Sequence, residues 1–315
     1  MKKFEEVIDV KRLIIYLPYL QEGLEFAKKN NITEIYITSQ VEIAPNYLNE
    51  KIVLDVDLIT HYEFIESIII SDPWGVFKGN ICLDRLSKLG NLKKIEIKIN
   101  DIFTIDFSLF KKLTHILYYD SKLISGLHSL NSLTSAIIYN LNSVDLSELS
   151  NNSNLKNLIL LDCKNQNIDG LSGLNHLEEI EIIRSKKLTN INGLKQSFSL
   201  KKIEIIQCPQ LNDISSIIYL KKLEELNLKK NKLITNLSQI APNNIKLLYV
   251  DKIDNLYFIL KMNSLKLIAF ENVTNNDLSP LINSLSLESA SFVNKKSYNY
   301  TRKEIESFFT NKKNQ

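Results

Sequence analysis

Three cysteines in 315 residues, an odd count with no C-x-x-C pair, exclude a disulfide scaffold and leave reduced, structural thiols as the expectation. Charge of one sign is also scarce. A formal net charge of +3, with lysines interspersed among glutamates and aspartates, lacks the basic stripe that a nucleic-acid partner requires. Long apolar runs are absent, since segments such as Leu13 to Leu17 and Ile68 to Ile70 fall far short of the roughly 20 residues that span a bilayer. No membrane partner is expected. Glu5, Glu6 and Asp9 interrupt the place where a secretory signal would need its apolar core, so the chain reads as cytoplasmic unless a leader was removed. Only 8 glycines occur, and none builds G-x-G-x-x-G, G-x-x-x-x-G-K-[ST] or G-x-S-x-G. His61, His115, His128 and His176 form no H-E-x-x-H or comparable spacing, so no metal, no cofactor and no catalytic residue is expected. A non-enzymatic protein is expected.

What is present is a period. The spacing L-x-x-L-x-L-x-x-(N/C) occurs as Leu92, Ile95, Ile97, Asn100; as Leu155, Leu158, Leu160, Cys163; as Leu200, Ile203, Ile205, Cys208; and as Leu223, Leu226, Leu228, Asn231. Weaker copies start at Leu113, Leu133, Leu177, Ile245, Leu265 and Leu287, so that successive units lie 20 to 23 residues apart. Over residues 89 to 297 the chain resembles the leucine-rich repeat superfamily, in the short form with units of 20–23 residues found in bacterial proteins. The resemblance implies an α/β solenoid: a curved parallel β-sheet with short 3₁₀ or helical return segments, forming one elongated body. In this motif the Asn or Cys position turns inward and satisfies loop backbone groups. Cys163 and Cys208 occupy that position two repeats apart, about 10 Å across stacked strands and too far for a disulfide.

The return halves carry apolar residues at a spacing of three (Ile124, Leu127, Leu130; Ile168, Leu171, Leu174; Ile214, Ile217, Leu220), which suits a 3₁₀ turn better than an α-helix. Residues 1–64 read as degenerate starting repeats. Val10, Leu13 and Ile15 reappear one period later as Ile32, Ile35 and Ile37, with Leu17, Leu20, Leu24 and Ala27 as a helical stripe between them. The repeats proper take residues 65–297, interrupted by Ser71-Asp-Pro-Trp-Gly75, which places Trp74 either on a loop insertion or in a core gap. Residues 298–315 form the C-terminal cap: Thr301 and Glu304 make a capping box, Ile305, Phe308 and Phe309 line one helix face, and Asn311 to Gln315 fray.

With the anchors inward, alternate strand residues fall on the concave surface. They read Leu117, Tyr119, Ile137, Tyr139, Ile159, Leu161, Ile183 and Ile206, an apolar and aromatic stripe bordered by Lys94, Glu96 and Lys98 and by Glu179, Glu181, Lys202, Glu204, Glu225 and Lys229. Eight such side chains exposing ~60 Å² each approach ~500 Å², the upper end of what a monomer leaves uncovered. An apolar centre with a charged rim is the anatomy of a protein interface. A protein partner is expected there, with self-association or an internal loop as the other coverings. Three settings fit a non-enzymatic repeat protein of this type: an immunity protein or inhibitor of a cognate toxin, a secreted or surface adhesin similar to the internalins, and a regulatory subunit of an enzyme.

Overall fold

A computed structural model describes residues 3–39, 53–73, 75–77, 79, 81–99, 103–234, 237–240 and 244–313. Trp74, Asn100 and the last two residues of the tail lie outside them. The chain divides into two compact units, Met1–Leu141 and Asn142–Gln315, each built of parallel strands joined by short return segments.

In the first unit, parallel strands Arg12–Tyr16, Glu34–Thr38, Ser67–Asp72, Lys94–Ile99, His115–Tyr119 and Ser135–Tyr139 pair in that order. Leu13, Ile35, Ile68, Ile95, Ile116 and Ala136 stand opposite one another from strand to strand, and all are buried. This row is what the L-x-L periodicity builds, because side chains on a strand alternate faces and only one set meets the core. The stripe between the first two strands forms the helix Leu20–Asn30, which buries Leu20, Leu24 and Ala27 and ends at Asn31 in the left-handed conformation.

Two features of this unit differ from expectation. Phe4–Val7 forms an antiparallel strand on Arg12–Tyr16, closing the first edge of the sheet. The intervening turn directs Val10 outward, 52% exposed, so Leu13 rather than Val10 is the first buried anchor of the pair-wise repeat. In strand Ser67–Asp72 both faces are buried: Ile69 is 1% exposed, and the Asp72 carboxylate accepts hydrogen bonds from the Ser39 hydroxyl and from the backbone N–H groups of Val76 and Phe77.

In the second unit the parallel strands are Asn157–Leu161, Glu179–Ile183, Lys202–Ile206, Glu225–Asn227, Leu247–Tyr249, Leu267–Phe270 and Ser289–Phe292. Leu158, Ile180, Ile203, Leu226, Leu248 and Ile268 form its buried row. Most return halves carry 3₁₀ segments, among them Asp169–Leu171, Asn192–Leu194 and Ser215–Tyr219, with Ile168, Leu171, Leu174, Ile217 and Leu220 buried, whereas Ser279–Asn283 is a short α-helix. They stack so closely that a Cβ on Gly193 would lie 1.9 Å from the Ile168 carbonyl oxygen, which leaves glycine as the residue that fits there.

After the first four of these strands the chain turns inward through a residue with positive φ: Asp162, Arg184, Gln207 and Lys230, at 57 to 61°. None is glycine, so each of these four turns carries backbone strain that its surroundings must offset. Part of the offset is visible, since Arg184 grips the Asp162 carboxylate of the preceding repeat through two hydrogen bonds of 2.8 and 2.7 Å. The next residue in each case, Cys163, Ser185, Cys208 or Asn231, is buried as the motif requires.

The final cap is the helix Arg302–Lys313, started by a capping box in which Thr301 N–H donates to Glu304 at 2.7 Å and Glu304 N–H donates to the Thr301 hydroxyl at 3.3 Å. Ile305 and Phe309 are buried, but Phe308 is 38% exposed and does not share their face. Of the tail expected to fray, residues 311–313 belong to the helix. The helix continues to Lys313 because the Lys312 ammonium donates to the carbonyls of Ser284, Leu285 and Leu287 at 2.8 to 3.1 Å.

Candidate functional site

The alternate strand positions that escape the core define the candidate surface. In the first unit, Leu117 stands opposite Ile137 and Tyr119 opposite Tyr139, all four half-buried. The two tyrosine rings stack with centroids 4.4 Å apart and planes 20° from parallel. Burial, reinforced by the neighbouring Tyr139, raises the pKa of the Tyr119 hydroxyl, against a smaller opposing effect of Lys98. This block is an amphipathic patch with two aromatic faces and two phenolic tips.

Its border is the strand Lys94–Ile99, where Glu96 pairs in register with Leu117. Burial alone would raise the Glu96 carboxyl, but the Lys94 and Lys98 ammonium groups, each 2.8 Å away, hold it below the ordinary carboxylate range. The charged rim here is therefore internally paired. His115, at the exposed end of its strand, has its pKa lowered by burial and by Lys94; a ring nitrogen lies 2.8 Å from the Thr114 hydroxyl.

In the second unit, Leu161, Ile183 and Ile206 stand side by side on three successive strands as a half-buried apolar row. Ile159, Glu181 and Glu204 form the parallel row two residues earlier. The carboxylates expected as a border thus sit within the same strands as the apolar side chains. Glu181 faces Glu204 directly; burial, then the Glu204 charge, raises the pKa of Glu181. Two strands further on, Tyr249 continues the row of Glu204 through Asn227, and Leu247 stands opposite Glu225 in the row of Lys202; neither was in the expected set, although their offsets of two and four from Ile245 mark them. The Lys229 ammonium lies over the Tyr249 ring, 5.3 Å from its centroid.

Groups suited to catalysis are sparse. Among the described residues, no group of three His, Cys, Asp or Glu side chains is placed to hold a metal ion. Burial pushes the Cys208 thiol up to about 11, the opposite of what a reactive thiolate needs. Cys163 is likewise buried, whereas Cys82 is exposed. A cleft of 590 Å³ in the first unit is lined by Asp57, Cys82 and Arg85, but Arg85 and Asp57 already pair with each other.

Comparison with family models found no match, and no curated protein matches the sequence. Solved structures similar to this chain include internalin C2 of Listeria monocytogenes, at 17% identity over 76% of this chain and 84% of the other, with a TM-score of 0.44. Another internalin of Listeria monocytogenes is 15% identical over 91% of this chain and 88% of its own, with a TM-score of 0.40. A leucine-rich repeat protein of Leptospira interrogans is 14% identical over 90% and 83% respectively, with a TM-score of 0.45.

Proposed function

We propose that this protein binds another protein on the outward sheet positions described above and performs no chemistry itself. The observation that carries this reading is the 2 × 2 block of Leu117, Tyr119, Ile137 and Tyr139, apolar and aromatic where a solvated sheet face carries polar residues. Stacked tyrosines offer large, rigid contact area at small cost in side-chain entropy, which is why such residues anchor interfaces. Within the second unit, the row Leu161, Ile183 and Ile206, with Ile159 two residues before Leu161, is apolar in the same way. Among the settings for such binding, we propose a cytoplasmic inhibitor that neutralises a cognate toxin. No helix among the described residues is long and apolar enough to cross a membrane.

The test is affinity capture from the native cells, with co-expression of any toxin encoded beside the gene. Tyr139→Ala and Ile159→Ser, made separately and together, should abolish capture and remove protection while circular dichroism is retained. Tyr139→Ala should lower stability by only about 1 kcal/mol, the worth of one aromatic stack. Capture unchanged in the double variant, or lost instead on altering exposed Phe198, would place binding elsewhere. Capture without protection would leave a binding protein and remove the toxin.

A further inference from the structure

The second unit carries a charge imbalance beside its apolar row. Lys202 stands opposite Glu179 on one neighbouring strand and opposite Glu225 on the other, and its ammonium lies 2.6 Å from Glu204 and 3.8 Å from Glu181. Glu204 and Glu181 thus share one ammonium, an excess of one negative charge, and Glu179 and Glu225 hold the strand positions on either side of it. The next cation along the face, Lys229, is occupied with the Tyr249 ring, and Arg184 is held by Asp162.

Glu181 and Glu204 precede Ile183 and Ile206 by two residues on the same strands, a distance of about 7 Å along the chain. Any partner seated on Leu161, Ile183 and Ile206 must therefore strip water from this pair of facing carboxylates. Removing water from a charge is costly unless an opposite charge replaces it. An apolar or acidic partner would leave that cost offset only by the single Lys202 ammonium that the two carboxylates share. A partner carrying lysine or arginine would instead relieve a repulsion already present in the free protein.

We infer that the segment of the partner that docks on the second unit is basic, presenting lysine or arginine to Glu181 and Glu204 and aliphatic side chains to Leu161, Ile183 and Ile206. The inference rests on the binding reading above and adds the chemistry of the occupant. An acidic segment, or a second copy of this chain, is the competing occupant.

The probe is a short fluorescent peptide of alternating leucine and lysine, titrated against the full chain by anisotropy, with alternating leucine–glutamate and all-lysine peptides as comparisons. The leucine–lysine peptide should bind, the all-lysine peptide should bind more weakly, and the leucine–glutamate peptide should not bind. Glu181→Gln with Glu204→Gln, and separately Ile183→Ser with Ile206→Ser, should each weaken the leucine–lysine complex about tenfold, as expected for truncating central interface groups. On the unmodified chain, which raises no question of folding, added sodium chloride should weaken the complex steadily. Three results would overturn the inference: failure of the leucine–lysine peptide to bind, equal or tighter binding by the glutamine variant, or preference for the leucine–glutamate peptide. Self-association of the chain that the glutamine variant strengthens would also overturn it. None of these decides the broader reading, which stands or falls on capture by the Tyr139 and Ile159 variants.

Discussion

The side-chain oxygen of Asn231 accepts the backbone N–H of Cys208, one repeat upstream, at 2.8 Å. Its Nδ2 donates to the carbonyls of Ile205 and Leu228 at 2.6 and 2.9 Å, and the residue is 4% exposed. One amide thus satisfies three backbone groups that the tight turn would otherwise strand in the core. Asn231→Leu should cost about 3 kcal/mol or more, since each buried orphan group costs ~1–3 kcal/mol. Urea unfolding checks this, and a loss below about 1 kcal/mol would mean that the turn finds other donors and acceptors.

Leu158 and Leu226 lie in the buried row of the second unit, at 1% and 0% exposure. Leu158→Asp or Leu226→Asp would place an unpaired carboxylate between stacked strands, among the few single changes severe enough to unfold a domain. Loss of the cooperative thermal transition is expected for each. A melting temperature near that of the unmodified protein would show that the inward register is wrong.

Gly193→Ala should destabilise by about 2 kcal/mol, because the added methyl meets the Ile168 carbonyl and the stacked 3₁₀ turns must separate. Gly90→Ala is the control, with nothing within 4 Å of its Cβ. Equal melting temperatures for the two variants would remove close stacking as the reason for glycine at position 193.

Lys312→Met keeps most of the aliphatic stem and removes the three donors that hold the terminal helix to residues 284–287. A loss of about 1–2 kcal/mol is expected, with faster amide exchange confined to the last helical turn. Lys312→Arg should restore part of it. Unchanged exchange in Lys312→Met would show that Ile305 and Phe309 hold the helix unaided.

Asp277 accepts hydrogen bonds from the Tyr257 hydroxyl at 2.6 Å, from the Ser279 backbone N–H at 2.9 Å and from Asn299 at 2.8 Å. These, led by Tyr257 and then Ser279, lower its pKa to about 2. A carboxyl lowered on folding stabilises the protein above its unfolded value near ~4 and loses that contribution as pH falls through the folded value. The stability difference between the unmodified chain and Asp277→Asn should therefore be constant above pH ~5 and change as pH falls from ~4 toward ~2. Tyr257→Phe should raise the Asp277 pKa in a carboxyl NMR titration, and an unchanged value would remove the tyrosine as the leading cause.

The sequence by itself determined which strand residues of the regular repeats face inward. Ile95, Leu158, Ile203 and Leu226 are legible as core because a strand alternates faces and the anchors recur every 20 to 23 residues. The same alternation put Leu117, Tyr119, Ile137, Tyr139, Ile159, Leu161, Ile183 and Ile206 on the half-exposed set, and the Thr301–Glu304 capping box follows from local chemistry alone. Tertiary structure decided what lies beside what. The stack of Tyr119 on Tyr139, the opposition of Glu181 and Glu204, and the Lys202 ammonium shared by those two carboxylates come from strand register across a whole repeat. Lys312 reaches three carbonyls, and Phe308 leaves the buried face, because of how the last helix docks. Periodicity assigns a side chain to a face; its neighbours depend on how repeats of unequal length and a docked helix pack together, which no local pattern encodes.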